Sequence, residues 1–355
     1  MIINEIVKDA ETVIAVDIAK NSFQVFVSNQ KSGKQKNKKV SRDNFVNHII
    51  KLGTGVIFME SCGSSQYWAR LFEKRGYVVR LIAAQHVKAF LKNKRVKNDM
   101  KDAEAIYKCG IQPDTKYVKV KTEEEQTVAM LHTFRQACIK TRIEISNRIR
   151  SILSEFGIIV AKGKNKVDTE LRLLFEAAEN ITNLELKETI EELFEEYKNK
   201  KSKEAKLTDR INKLAQENQL VEIAKTCPGV GDLTASALVA EVGNAQHFKN
   251  GREMSAWAGL VPSQHSTGGR SALGGITKTG NTYIRKLLSQ CALSVIRRAG
   301  GRKENGTDNQ IDRFVLRLQL QNKPQKKIMI AVANKIIRIL WVLLSTRTKF
   351  ENRVI

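Results

Sequence analysis

Residues 12–28 alternate apolar and polar positions and then run into a Lys/Ser/Gly-rich stretch at 31–39, the pattern of a β-hairpin with its turn there. GVIFME at 55–60 is a short apolar run and reads as a central strand. Residues 64–75 carry Trp68 and Leu71 on one helical side, and Gly76 ends that helix. YVVRLIAA at 77–84 predicts another strand, followed by a helix over His86–Lys94. Strand, helix, strand, helix in this order predicts an α/β sheet domain over 1–121.

The pattern changes over 122–222, where no proline occurs between Pro113 and Pro228. Leu131, Phe134, Cys138, Ile145, Ile149 and Ile152 fall at helical spacing. A 4,3 spacing runs through Leu186, Ile190, Leu193 and Tyr197 and resumes in phase at Leu207, Ile211 and Leu214. Lys200 and Glu204 are polar seam positions between the two halves. A heptad held in phase this long predicts a coiled coil, antiparallel or between chains, with an ordinary helical bundle as the alternative. GKNKVD at 163–168 is the expected hinge. The remaining region, 223–355, opens with KTCPGVGDLTASALVAEVG, an apolar helix, a Pro-Gly-Val-Gly turn and a second apolar helix. This is similar to a helix-hairpin-helix element, in which Gly229 and Gly231 would let backbone N–H groups approach a phosphate. Helices are expected near 285–299, 309–320 and 326–346, with a solvated loop at 301–309.

Charge narrows the function. The 355 residues hold 61 Lys+Arg against 37 Asp+Glu, a net charge of +24. Such a surplus implies a polyanionic partner, whose condensed counterions are released as phosphates are neutralised. No run of about 18 apolar residues predicts a spanning helix, and MIINEIVKDAE does not read as a signal peptide. The five cysteines are scattered without a CxxC pair and read as reduced, buried thiols of a cytosolic protein. The histidines are equally dispersed and suggest no His-based metal site.

Against this positive background four acids stand out: Asp17 in TVIAVDIAK, Glu60 ending GVIFMESCG, and Asp99 and Asp102 in KNDMKDAEAI. Two of them close apolar runs that read as strands, and the other two, three apart, share a helix face. Carboxylates converging at one end of a sheet suit Mg²⁺ or Mn²⁺ placed across a scissile phosphate, with Lys97 and Lys101 near enough to hold phosphates. Near the other end of the chain, five glycines in 268–280 allow a loop to bend close to a phosphodiester, and Arg270, Lys278 and Arg285 supply positive charge. A hydroxyl in such a loop could serve as a nucleophile once activated. Ser263, Ser266, Thr267 and, further on, Tyr283 are the choices.

The order of the acids resembles the RuvC-type, ribonuclease-H-like fold. The D–E–D–D pattern is similar to the tetrad of the RuvC-like DEDD insertion-sequence transposases, relatives of Piv-type DNA invertases. The C-terminal third resembles the same group, in PGVG…TA…LVAEVG and in a signature matched by Trp257, Gly259–Pro262, Gln264, Ser266, Thr267, Gly268, Gly269 and Arg270. The match continues through Leu273–Ile276, Lys278, Gly280, Asn281, Tyr283 and Arg285.

The resemblance implies an α/β ribonuclease-H-like domain at 1–121, a helical coiled-coil dimerisation region at 122–222 and a mostly α, serine-containing domain at 223–355. It implies a DNA recombinase in which Ser266 attacks a strand to form a phosphoserine link beside Mg²⁺ held by Asp17, Glu60, Asp99 and Asp102. Gly229, Gly231, Gly268, Gly269, Arg270, Lys278 and Arg285 would contact nucleic acid. It further implies dimers pairing into a homotetramer, donor and target DNA, a structured non-coding guide RNA, and a cytoplasmic, nucleoid-associated location with no membrane. The competing readings are a metal-dependent structure-specific nuclease, such as a Holliday-junction resolvase, a non-enzymatic nucleic-acid-binding scaffold, and an invertase without an RNA guide.

Overall fold

The computed structural model describes residues 5–91, 99–161, 163, 166, 168–170, 183–267 and 270–352. It divides into two compact units, residues 1–123 and 124–355.

The first unit is built on one mixed sheet. Strands β1 (Thr12–Ile18), β2 (Ser22–Asn29) and β3 (Gln35–Ser41) form an antiparallel meander. Strands β4 (Val56–Ser61) and β5 (Val78–Ala83) extend it in parallel from β1, and the short β6 (Tyr117–Val118) runs antiparallel beside β5. The order is β3-β2-β1-β4-β5-β6, compatible with a ribonuclease-H-like sheet. The 12–28 run is thus two strands with a turn at 19–21, and most of the expected turn at 31–39 is β3. Its composition hides it: Lys36, Lys38 and Lys39 are exposed on the sheet edge, where charge blocks edge-to-edge pairing while β2 supplies a full ladder.

Helices cover both faces of the sheet. On one lie α2 (Arg42–Lys51) and α3 (Ser65–Glu73), whose Phe45, Ile49, Trp68, Ala69 and Phe72 are buried with Ile14, Val16, Ile57 and Met59. On the other lies α5 (Asp99–Gly110), whose Ala103, Ile106 and Tyr107 pack on Val13, Ala15, Phe26, Val56 and Phe58. Two short helices complete the unit, α1 (Glu5–Lys8) and α4 (Ala84–Val87). The helix expected over 86–94 is only α4 followed by a 3₁₀ turn at Lys88–Phe90; positions 92–94 and Lys97 lie outside the described residues.

The described residues of the second unit are helical apart from one hairpin and the connecting turns. Helices α6 (Glu123–Glu155) and α7 (Leu184–Gln216) run antiparallel within the chain. Ile145, Ile149 and Leu153 pack on Leu186, Ile190, Phe194 and Tyr197, while Leu131 and Cys138 pack on Leu207 and Ile211. The polar seam position Glu204 is held between the arms, accepting from Arg142 Nε at 2.9 Å with Arg135 Nη2 at 3.9 Å. Part of the expected hinge at 163–168 lies outside the described residues.

Next come α8 (Gln219–Lys225), α9 (Asp232–Val242) and α10 (Gly251–Trp257). The hairpin β7 (Pro262–Thr267) and β8 (Arg270–Ile276) follows, then α11 (Thr282–Glu304), α12 (Gln310–Leu320) and α13 (Gln325–Thr346). Asparagine starts four of these helices and α7: Asn183, Asn218, Asn250, Asn281 and Asn309 each accept from a first-turn N–H. Such caps satisfy amides that have no partner within the helix. Helix α13 is long and apolar enough to span a bilayer by composition, but Val332, Ile336, Ile337, Leu340 and Leu344 bury one face in the core of the unit.

The stretch expected as a solvated loop at 301–309 is partly helix and carries a core anchor. Asp312 is fully buried and takes Arg302 Nε at 2.7 Å, a second bond from Arg302 Nη2, and the Asn309 backbone N–H at 3.1 Å. With Asn309 it closes a capping box that ties α12 to α11.

Candidate active site

The first unit brings carboxylates to one corner of the sheet. Strands β1 and β4 pair in register from Val13 with Val56 to Val16 with Met59, so Asp17 and Glu60 are the next positions, side by side. They continue the alternation of Val13 and Ala15, and of Val56 and Phe58, and therefore lie on the face that α5 covers. Asp99 and Asp102 sit in the first turn of α5, over that face. Burial, and then the Asp102 carboxylate, push the Glu60 carboxyl above the usual range, with Lys88 opposing. Burial, Glu60 and Asp17 together push the neighbouring Cys62 thiol up to about 11, so it stays protonated at neutral pH. Cys62 is only partly covered and keeps solvent access, whereas the other four cysteines are buried, and all five are free thiols.

A polar clasp ties the first turn of α5 to β2 and β3. Gln24, the cross-strand partner of Asp17, donates to Asn37 Oδ1 at 2.6 Å, and Asn37 Nδ2 donates to the Met100 carbonyl at 2.8 Å. The donor set is all carboxylate oxygen, the chemistry of a hard divalent cation such as Mg²⁺ or Mn²⁺. Among the described residues no three His, Cys, Asp or Glu side chains are grouped closely enough to hold a metal ion; the Asp99 side chain lies outside that description. The shared face and the crowding of like charge fit a cation that would draw the carboxylates together.

The second unit carries the serine. The expected glycine-rich loop is a β-hairpin, with Ser266 opposite Ser271 near its tip. Gly268 and Gly269, and the side chains of Thr267 and Arg270, lie outside the described residues. Ser266 is exposed, and its Oγ accepts from Gln264 Nε2 at 2.9 Å. Ser263 instead donates to the Gly275 carbonyl at 3.0 Å, which fixes it in the hairpin ladder. Lys278 is exposed at the hairpin base with φ 55°.

The residues after the hairpin form its foundation. Gly280 has φ 80°, and a Cβ there would stand 1.8 Å from the Trp257 carbonyl oxygen. Asn281 caps α11 by accepting from the Tyr283 and Ile284 amides at 3.0 and 3.2 Å. Arg285 Nη1 donates to the carbonyls of Ala258 and Thr279 at 3.0 and 3.1 Å, and Nη2 reaches Thr282 Oγ1. Its guanidinium therefore braces the turn from within the protein.

The Tyr283 hydroxyl is 3.0 Å from His132 Nδ1, and burial raises its pKa against the pull of Arg135. His132 Nε2 is 3.0 Å from Ser236 Oγ, which donates to the Asp232 carbonyl at 2.6 Å. Burial and then Arg135 hold the imidazole down at about 4, so it is neutral. This buried link between α6, α9 and α11 has no sequence motif; a lone histidine in an apolar helix gave no signal.

The Pro-Gly-Val-Gly turn between α8 and α9 divides its glycines. Gly229, with φ 85°, faces α11, where a Cβ would meet Val295 Cγ2 at 2.6 Å. Gly231 borders open space and starts α9.

Residues 14–158 match the DEDD transposase family of IS110 type, and residues 221–306 match the transposase IS116/IS110/IS902 family. A probable family 20 transposase of Pseudomonas aeruginosa is 35% identical over 95% of this chain and 98% of its own length. The transposase for insertion sequence element IS1111A of Coxiella burnetii is 31% identical over 96% and 91%. The pilin gene-inverting protein of Moraxella lacunata is 21% identical over 97% and 99%.

Proposed function

Because this chain belongs to the IS110/IS116 family of DEDD insertion-sequence transposases, enzymes of DNA strand cleavage and transfer, we propose that it cuts and rejoins DNA through a covalent link to Ser266. The observation that carries this reading is the division of labour between the two units. One crowds carboxylates at a sheet corner, and the other presents an exposed serine near the tip of a braced hairpin.

Asp17, Glu60, Asp99 and Asp102 would hold Mg²⁺ or Mn²⁺, which when bound lowers the pKa of an attached oxygen and offsets charge on the phosphoryl group. Ser266 Oγ attacks phosphorus and forms an ester; the bond to the leaving sugar oxygen breaks, and that oxygen takes up a proton to become a free hydroxyl. Gln264 holds the Ser266 oxygen at the strand surface before attack. In rejoining, a sugar hydroxyl attacks the phosphoserine and returns the proton to Ser266. Arg270, at the start of β8, and Lys278, at the hairpin base, would offset phosphate charge, and Gly231 opens the start of α9 to a backbone phosphate. Arg285 and Gly229 support these elements from inside.

The serine and the carboxylates come from different units, so a homodimer pairing into a tetramer could complete one site from two subunits, with the α6–α7 arms as the assembly surface. A structured RNA that pairs with donor and target DNA would leave this chain to read backbone shape, which suits +24 net charge and 6% aromatic residues. The setting is the cytoplasm, at the nucleoid. Wild type, Ser266→Ala and Asp17→Asn are incubated with element-end DNA, Mg²⁺ and co-purified RNA and run on a denaturing gel. Only wild type should give a protein–DNA adduct. An active Ser266→Ala enzyme would establish the metal-dependent nuclease instead.

A further inference from the structure

A cleft of about 1600 Å³ opens in the second unit between α10, the base of the β7–β8 hairpin, α12 and α13. Its composition is lopsided. Arg252, Lys278, Arg317, Lys327, Lys335 and Arg338 line it, with Lys326 beside them, and no aspartate or glutamate is among its described lining residues. None of these cations pairs with a carboxylate among the described residues. The walls are apolar and aromatic: Phe314, Met329, Ile330 and Trp341. Phe314 already collects positive charge, with Lys335 Nζ 4.7 Å and Arg317 Cζ 5.5 Å from its ring centroid. Burial, and then Arg317 and Arg338, hold the Lys335 ammonium below its usual pKa. Cations crowded on an apolar surface with no acid to balance them require an anion from outside.

We propose that this cleft holds an unpaired DNA strand, with phosphates on the lysines and arginines and bases against the apolar wall. The chemistry selects the occupant. Cations without carboxylates call for a polyanion, and apolar and aromatic walls between them call for exposed base faces, the combination by which single strands are gripped. A duplex hides its base faces and presents phosphates alone. Position selects DNA: Pro262, Gly274 and Ile276, from the foot of the hairpin that bears Ser266, form one side of the cleft. A strand leaving a phosphodiester at Ser266 would pass into it. That choice of DNA rests on the serine reading above; the demand for an unpaired polyanion does not.

The test uses the full-length protein and three labelled probes, a 20-nucleotide oligo-dT, a duplex of equal length and an oligo-U RNA, followed by fluorescence anisotropy at several salt concentrations. Lys327→Glu/Arg338→Glu alters two exposed positions and leaves the core intact, which an unchanged thermal midpoint verifies. The double variant should lose about tenfold or more in oligo-dT affinity, with a salt slope shallower by about 2 and duplex affinity nearly unchanged. A second variant, Trp341→Phe, should lose the part of the tryptophan quenching that oligo-dT causes in wild type. Equal losses for duplex and oligo-dT, or no loss, would overturn the proposal. Tighter and selectively lost oligo-U binding would reassign the cleft to RNA and overturn the DNA choice. A change in oligomer mass with no change in nucleic-acid binding would make it a protein interface and overturn it as well. Ser266→Ala separates this proposal from the serine reading: it should retain full oligo-dT binding in the cleft while forming no adduct, whereas absence of adduct from wild type with the cleft still binding would defeat the serine reading alone.

Discussion

His132 makes a quantitative prediction. Its ring is buried and links the Tyr283 hydroxyl to Ser236 Oγ, and its pKa is down at about 4 from 6.5. Arg135 is the charged group that adds to burial in holding it there. Above pH 6.5 the ring is neutral in both folded and unfolded chains and contributes no pH dependence. As pH falls from 6.5 towards 4 the unfolded chain takes up a proton that the folded chain refuses, so stability is lost across that window and the loss levels off below about 4. At about 1.4 kcal/mol per unit, the full loss is about 3 kcal/mol. Urea unfolding of wild type and His132→Gln, followed from pH 7.5 to 4, measures it. The carboxylates common to both proteins cancel in the difference, which should shrink by about 3 kcal/mol as wild type loses its advantage. Parallel stability curves for the two proteins would refute the reasoning. Because the link joins α6 and α9 to the first turn of α11, the same acid range should loosen the footing of the serine hairpin.

Three other perturbations test other parts of the structure. Asp312→Ala removes the buried acceptor of Arg302 and of the Asn309 N–H and should cost about 1–3 kcal/mol by urea unfolding, while Asp312→Asn, which keeps one acceptor, should cost less. Gly280→Ala places a Cβ against the Trp257 carbonyl at positive φ and should destabilise the second unit by about 1–3 kcal/mol, with faster amide exchange at the hairpin base. Asn37→Ala cuts the clasp between Gln24 and the Met100 carbonyl; it should weaken Mn²⁺ binding, read by calorimetry, with little change in thermal midpoint.

The sheet and the acids were legible because each rests on a local pattern. The apolar runs at 13–16 and 56–59 are buried on both faces of the sheet, and the residue that follows each is Asp17 or Glu60. Strand β3 was not, because an edge strand needs only backbone pairing and all its side chains but Val40 and Asn37 are exposed. The signature after the hairpin was legible as a motif but not as a set of roles. Gly280, Asn281, Tyr283 and Arg285 prove to be a strained turn, a helix cap, a histidine partner and a carbonyl brace. Such roles depend on Trp257, Ala258 and His132, which lie up to 151 residues away along the chain. The hairpin looks like a loop in sequence because its glycines mask a two-stranded ladder. Nothing local marked Asp312 as a buried acceptor for Arg302 within a charged stretch.

The proposed nucleophile is Ser266, carried by the protein itself. Its most direct test is mass spectrometry of the covalent product. Trypsin cuts after Arg252 and Arg270, so residues 253–270 form one peptide holding Ser263, Ser266 and Thr267. A nucleotide remnant is expected on Ser266 of that peptide. A remnant on Ser263, Thr267 or Tyr283, or cleaved DNA with free ends and no modified peptide, would contradict it.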